Sequence, residues 1–293
     1  MAGRKAGLRK PIYLLAPALT LVLLLFGGGL ALGLFQALGY TADEGFKSIT
    51  FDHFQAIFTD PDFPGSITLT LYISLVSTLL AAAISIALAL TIIRWATKNR
   101  LINFILEIPL TVPHLVIAVS ILLLMSPAGL FSRFLSFVGL LSSPSAFPLL
   151  INDDYSIGII VVYVWKEVPF ITFMLLSVLT NLGPELNEAG ATLKASWLQR
   201  FRYITLPIIG PSLGVACLIV FAFTFGAFEV PYLLGKTYPV SLPVWAYKNY
   251  SDVDLLARPE GIAIGLIIAA IITFAITLSQ LLIHFSRRRG VTV

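Results

Sequence analysis

The stretch EAGATLKASWLQRFRYITLP, Glu188 to Pro207, is a polar interlude between two long apolar runs and carries Glu188, Lys194, Gln199, Arg200 and Arg202. Leu186, Gly190, Leu193, Trp197 and Phe201 recur at three- and four-residue steps, which on a helix places them along one face. The segment therefore reads as a short amphipathic helix unit outside a bilayer, whose apolar stripe needs the groove of a partner protein. Gly183, Pro184 and Glu185 supply a helix start, with proline at the first helical position and carboxylates near the positive end of the dipole. Pro207 marks the expected beginning of a new helix.

Outward from this interlude the chain is apolar. Of its 293 residues 58% are hydrophobic and 12% charged, and the mean hydropathy is +0.93. That composition excludes a soluble globular domain and defines a multi-span membrane protein. Six apolar runs reach the roughly 20 residues a helix needs to cross a bilayer. They lie near Ile12–Leu38, Ser66–Ile93, Leu101–Met125, Tyr155–Leu182, Leu206–Leu234 and Gly261–Ile283. The fold class expected is all-α with six transmembrane helices, since the alternating short strands of a β-barrel are not evident. The first run follows a basic start but continues without a charge to Leu38, longer than the core of a cleaved signal, so it is expected to be a retained span.

Charge sets the orientation. In a six-span arrangement thirteen basic residues, among them Arg4, Lys5, Arg94, Lys98, Lys194, Arg200 and Arg287, fall on one side, and five (Lys47, Arg133, Lys236, Lys248 and Arg258) on the other. This asymmetry places both termini and the Glu188 loop in the cytoplasm. Ten carboxylates lie in the outer segments against two in the inner ones. Of the outer segments, residues 40–64 are acidic, with Phe51–Phe58 as a short interfacial helix. Ser126–Asp154 and Gly235–Glu260 form long loops on the same surface. Gly29 with Gly33, and Gly261 with Gly265, are spaced for close helix approach, although ordinary membrane glycines account for them equally.

Catalytic motifs are not evident. His53, His114 and His284 fall on different segments, the single Cys217 allows neither a disulfide nor a thiolate metal site within the chain, and Gly235-Lys236-Thr237 lacks the earlier glycine of a phosphate loop. Neither a cofactor nor a metal is expected. The chemistry lies in the charges within the spans, each costing on the order of 2.5 to 3.5 kcal/mol at mid-bilayer. Glu107 is close to the inner end and reads as solvated. Lys166 reads as a neutraliser of a neighbouring acid or as reaching water. Glu167, halfway along the fourth span beside Trp165 and Pro169, is the strongest candidate for a polar path. Glu229 is placed to line an outer vestibule. Trp165, Lys166, Glu167 and Glu229 are thus the translocation-path candidates. Pro109 and Pro113 should kink or unwind the third span.

At the interlude the chain resembles the membrane-spanning permease subunits of binding-protein-dependent ATP-driven importers, the MetI-like permease fold of type I ABC importers. Glu188 and Ala189 match that family's Glu-Ala-Ala, Gly190 stands at the second alanine, Ala195-Ser196 follow, and Ile204, Leu206 and Pro207 close the pattern. Lys194 occupies the position where glycine is usual, a departure, because a left-handed turn costs a side-chain-bearing residue about 1 kcal/mol relative to glycine. The resemblance implies that loop 183–207 couples to the cytoplasmic ATPase through Glu188, Ala189, Gly190, Leu193, Lys194, Ala195, Trp197 and Phe201. It implies residues 65–293 as the core permease domain, after an amino-terminal segment and first span over 1–64. The partners implied are a separate ATP-binding subunit that alone hydrolyses ATP, a second permease chain and an extracytoplasmic solute-binding protein, assembled at the bacterial inner membrane. Phe225–Leu234 and the outer loops look most like the polyamine branch, and the excess of outer carboxylates together with Glu167 and Glu229 suits a small cation. A sugar or other organic solute is the alternative cargo. A proton-coupled secondary transporter is the competitor of another class, but it leaves the amphipathic loop unexplained.

Overall fold

In the computed structural model the structure describes residues 6–41, 45–46, 48–95, 99–181 and 194–288. Among them, six helical stretches are long and apolar enough to cross a membrane: Leu14–Ala37, Phe63–Arg94, His114–Phe137, Ile157–Asn181, Trp197–Gly226 and Leu255–Leu281. The chain divides into two compact units, one of Met1–Phe63 with Trp245–Ile267, the other of Pro64–Val244 with Ile268–Val293.

In the first unit, α1 (Ala6–Val22) passes through a π turn at Leu23–Gly27 into α2 (Gly28–Ala37). Two short strands follow, β1 (Tyr40–Thr41) and β2 (Gly45–Phe46), antiparallel with Tyr40 opposite Phe46. The stretch expected as an interfacial helix forms α3 (Asp52–Thr59). Of the four spaced glycines only two meet a neighbour. A methyl group on Gly33 would come within 3.3 Å of Ile262, and one on Gly261 would meet the Ala246 carbonyl and the Tyr250 amide at 2.7 Å, whereas Gly29 and Gly265 face open space.

The second unit holds the site. Its elements are α4 (Phe63–Trp95), α5 (Arg100–Thr111), α6 (His114–Met125), α7 (Leu130–Phe137), α8 (Ile157–Asn181), α9 (Trp197–Arg200), α10 (Leu206–Gly226), α11 (Glu229–Leu234), α12 (Leu242–Tyr250) and α13 (Arg258–Arg288), with those at its edges shared with the first unit. Helix α4 buries a stripe of small residues at three- and four-residue steps, Ser66, Thr70, Ser74, Ser77, Ala81, Ser85 and Ala89. Small residues let backbones approach, which matters in a bilayer because lipid is as apolar as leucine and helix contact rests on packing and hydrogen bonds. Ser85 Oγ donates to the Val168 carbonyl of α8 at 2.8 Å, and Thr70 Oγ1 accepts the Leu242 amide at 2.8 Å.

Helix α8 is the axis of this unit and contributes to two apolar clusters. Ile159, Val162 and Tyr163 pack with Ile73, Ile117 and Val230, while Val168, Ile171 and Leu175 pack with Ala81, Ile209 and Val220. Between these two groups of α8 residues stand Lys166 and Glu167, both buried.

Candidate functional site

Of the two outcomes expected for the third apolar run, kinking or unwinding, it is unwinding that occurs, and the run is two helices. Pro113 bars the helical conformation at the residue before it, and Val112 is accordingly extended at φ −88°, ψ 130°. Helix α5 stops at Thr111 and α6 restarts at His114. Because Pro113 has no N–H, the carbonyl of Pro109 loses the donor a continuous helix would supply, and the carbonyls of the following residues lose theirs to the break. Lys166 fills the gap. Its ammonium donates to the carbonyls of Pro109 at 2.7 Å, Leu110 at 3.1 Å and Val112 at 2.6 Å, which uses all three of its donors. Neither expectation for Lys166, neutralising a neighbouring helix's acid or reaching water, describes this arrangement. Its partner is unwound backbone, the one polar ligand a proline-broken helix makes available inside a bilayer.

Glu167, the next residue of α8, lies 3.4 Å from Nε2 of His114, the first residue of α6. The imidazole in turn lies against Phe223 of α10, ring centroids 4.6 Å apart at 36°. These residues, with Leu110, Lys166, Phe170, Ile219 and Val220, line a cavity of about 210 Å³. It offers a solute one carboxylate, one imidazole and an aromatic wall. No group of three or more potential metal ligands occurs among the described residues. Trp165 is 42% exposed on α8 and is not among the cavity-lining residues. Glu229 is exposed and begins α11, after the chain leaves α10 through the extended Ala227. A carboxylate at that position is favoured by the positive end of the helix dipole. Glu107 is likewise exposed, on α5. The structure thus brings Lys166 and Glu167 together at one cavity and puts Trp165 and Glu229 outside its lining.

Sequence reasoning passed over His114 as one of three scattered histidines. The available signal was its position directly after Pro113, where a restarted helix begins; its partner Glu167 is 53 residues away and left no local trace.

In the polar interlude, Glu188, Ala189, Gly190 and Leu193 lie outside the described residues. Lys194 has φ +57°, the left-handed conformation, at the position where the sequence comparison put a glycine turn. The turn that the family resemblance implied at this position is thus present, with lysine in place of glycine. Ser196 is extended and caps a fresh start: Gln199 N donates to Ser196 Oγ at 3.3 Å and Ser196 N to Gln199 Oε1 at 2.8 Å. This reciprocal pair is a capping box, legible as Ser-x-x-Gln. Trp197 and Phe201, one turn apart, stack with centroids 5.9 Å apart and planes 10° from parallel, and Trp197 is 58% exposed, as is most of Leu198 and Tyr203.

The expectation for Pro207 is corrected. The helix starts at Trp197, ten residues before it, and runs through a π turn at Phe201–Thr205 into α10. The wider turn removes the need for the amide that proline lacks. The segment after Lys194 is therefore the first turn of a 30-residue helix, Trp197–Gly226, whose α10 portion packs along α8.

Six spans, a helix broken at the buried core and an exposed aromatic turn continuous with a core helix define a membrane transport component. Residues 81–289 match the family model described as "Binding-protein-dependent transport system inner membrane component", and the chain belongs to that family. It is a multi-pass inner membrane protein. Among its relatives, the trehalose/maltose transport system permease protein MalF of Thermococcus litoralis is 27% identical, aligned over 96% of this chain and 92% of that protein. The sulfate transport system permease protein CysT of Salmonella typhimurium is 26% identical over 79% of this chain and 81% of that protein. The inner membrane ABC transporter permease protein YnjC of Escherichia coli is 27% identical over 82% of this chain, which spans only 45% of YnjC. A crystal structure of a bacterial ABC transporter that imports the acidic polysaccharide alginate shares the fold, with a TM-score of 0.77 at 24% identity over 97% of this chain and 99% of that one.

Proposed function

We propose that this chain is one membrane-spanning half of an ATP-driven importer, in which a separate cytoplasmic subunit hydrolyses ATP and moves the Lys194–Phe201 segment. Glu188, Ala189, Gly190, Leu193 and Ala195 complete that docking element. The observation that carries the reading is the exposed Trp197, stacked on the half-buried Phe201 one turn on, at the capped start of a helix that continues into the core. From there one continuous helical stretch leads into α10, which packs along α8. A second permease chain and an extracytoplasmic binding protein complete the system. The names of the relatives, permeases of sugar, sulfate and molybdenum transport systems, support this assembly. The excess of basic residues on one side supports cytoplasmic termini. The family match at 81–289 lies wholly within the core domain we assign to residues 65–293, with 1–64 as an appended first span.

The finer reading is that the cargo is a small organic cation of the polyamine kind. It is supported by Glu167, whose carboxylate lines the cavity while the ammonium of Lys166 is held by backbone carbonyls; Glu229, exposed at the start of α11, adds a carboxylate beyond the fifth span without lining that cavity. A buried acid is costly and a passing cation offsets that cost. A second reading, a sugar or other neutral solute, is favoured by the MalF relative, aligned along nearly the whole of both chains. Uptake by the reconstituted transporter of radiolabelled spermidine against radiolabelled maltose separates them. The cation reading expects spermidine uptake that falls in Glu167→Gln and Glu229→Gln; uptake of maltose alone rejects it and leaves the importer reading intact.

A further inference from the structure

We infer that Lys166 is a positioning residue whose ammonium locks the break at Thr111–Pro113 onto α8, so that the break travels with α8 as a fixed elbow during transport instead of flexing as a hinge. A helix interrupted inside a bilayer leaves carbonyls without their intrahelical donors, and each needs another partner. Pro113 creates that need twice, by lacking an N–H and by forcing Val112 out of the helix. An ammonium carries three donors and no acceptor, and here all three are spent on the carbonyls of Pro109, Leu110 and Val112 at 2.6 to 3.1 Å.

Two rival roles fail on the same geometry. A lysine acting as counter-ion to Glu167 would leave the broken helix unsatisfied, and a lysine that binds solute needs a free N–H, of which none remains. The grip is also two-sided. Consecutive helix residues point about 100° apart, and α8 uses this to hold both sides of the break, Lys166 on the end of α5 and Glu167 on His114 at the start of α6. Lys166 and Glu167 fall between the residues that α8 gives to its two apolar clusters, where apolar packing alone does not fix the break in place.

The test is hydrogen–deuterium exchange on the chain in lipid nanodiscs, alone and assembled with its ATPase, nucleotide-free and trapped with ATP and vanadate. In the native protein the amides of residues 108–117 are expected to stay protected in both nucleotide states. Lys166→Met should speed their exchange on the order of tenfold, with α4 and α10 unchanged. Pro113→Ala added to Lys166→Met should restore protection, because it returns an amide to the orphaned Pro109 carbonyl and lets the helix close. A lysine that only fills space or balances charge would not be rescued in this way.

Function adds an independent readout. Lys166→Met should lower kcat of binding-protein-stimulated ATP hydrolysis without raising the KM for the loaded binding protein, whereas a rise in KM alone would make Lys166 a solute contact and overturn the proposal. Native-like exchange in Lys166→Met, no recovery in the double variant, or loss of protection at 108–117 in one nucleotide state of the native protein would also overturn it. The functional arm rests on the importer reading. The exchange measured on the chain alone does not, so failure of the one is distinguishable from failure of the other.

Discussion

Lys166 and Lys194 each stand where helical structure in the core unit is interrupted, and the same side chain has opposite consequences at the two places. At the break before His114, Lys166 is buried and its charge is answered by three backbone carbonyls. At the turn before Trp197, Lys194 is exposed and its backbone sits at φ +57°, a conformation that disfavours any side chain. In the core the carbonyls freed by the break are answered by one side chain, the Lys166 ammonium. The surface segment has water for its polar groups, so the interruption needs only backbone freedom, which lysine lacks.

That contrast is sharpened first by removal of the buried lysine. Lys166→Met should destabilise the detergent-solubilised protein by about 3 kcal/mol or more, because hydrogen bonds to a charged group contribute roughly 1.5 to 3 kcal/mol each and the carbonyls are left bare. Thermal unfolding followed by circular dichroism would read this, and a native-like melting curve would break the contrast. Next in size, Trp197→Asp should abolish binding-protein-stimulated ATP hydrolysis by the assembled transporter while the chain still inserts, since the residue is exposed and its loss removes the proposed docking anchor and, within the chain, its stack on Phe201. A smaller effect belongs to Ser85→Ala, which deletes the α4 to α8 hydrogen bond and should cost about 0.6 kcal/mol, as interhelical hydrogen bonds in membranes average. Lys194→Gly should have the opposite sign, stabilising by up to about 1 kcal/mol through relief of the left-handed turn, with transport retained.

The spans were legible because a bilayer demands long apolar runs, but hydropathy did not reveal which run becomes the core. In Leu14–Ala37, with hydropathy 2.3, none of the most apolar 18 residues is buried within the chain, whereas in Ile157–Asn181, with the lower value of 1.9, 67% of them are. The better signal was the cost of Lys166 and Glu167, which only a core position can offset. Pro109 and Pro113 announced a disruption of the third span but not its partner, since the answering lysine lies more than fifty residues later. The turn at Lys194 was legible only through the resemblance, since the apolar steps of the interlude carry no sign of a residue with φ above zero. Pro207 misled, because a π turn let the helix pass it.

The claim that the exposed turn after Lys194 is where the ATPase docks is tested most directly by copurification. The native chain, Trp197→Asp and Lys194→Gly are each expressed with the complete transporter and captured by an affinity tag on this chain. The ATP-binding subunit should come down stoichiometrically with the native chain and with Lys194→Gly, and be lost with Trp197→Asp. Full recovery of the ATPase with Trp197→Asp would contradict the account.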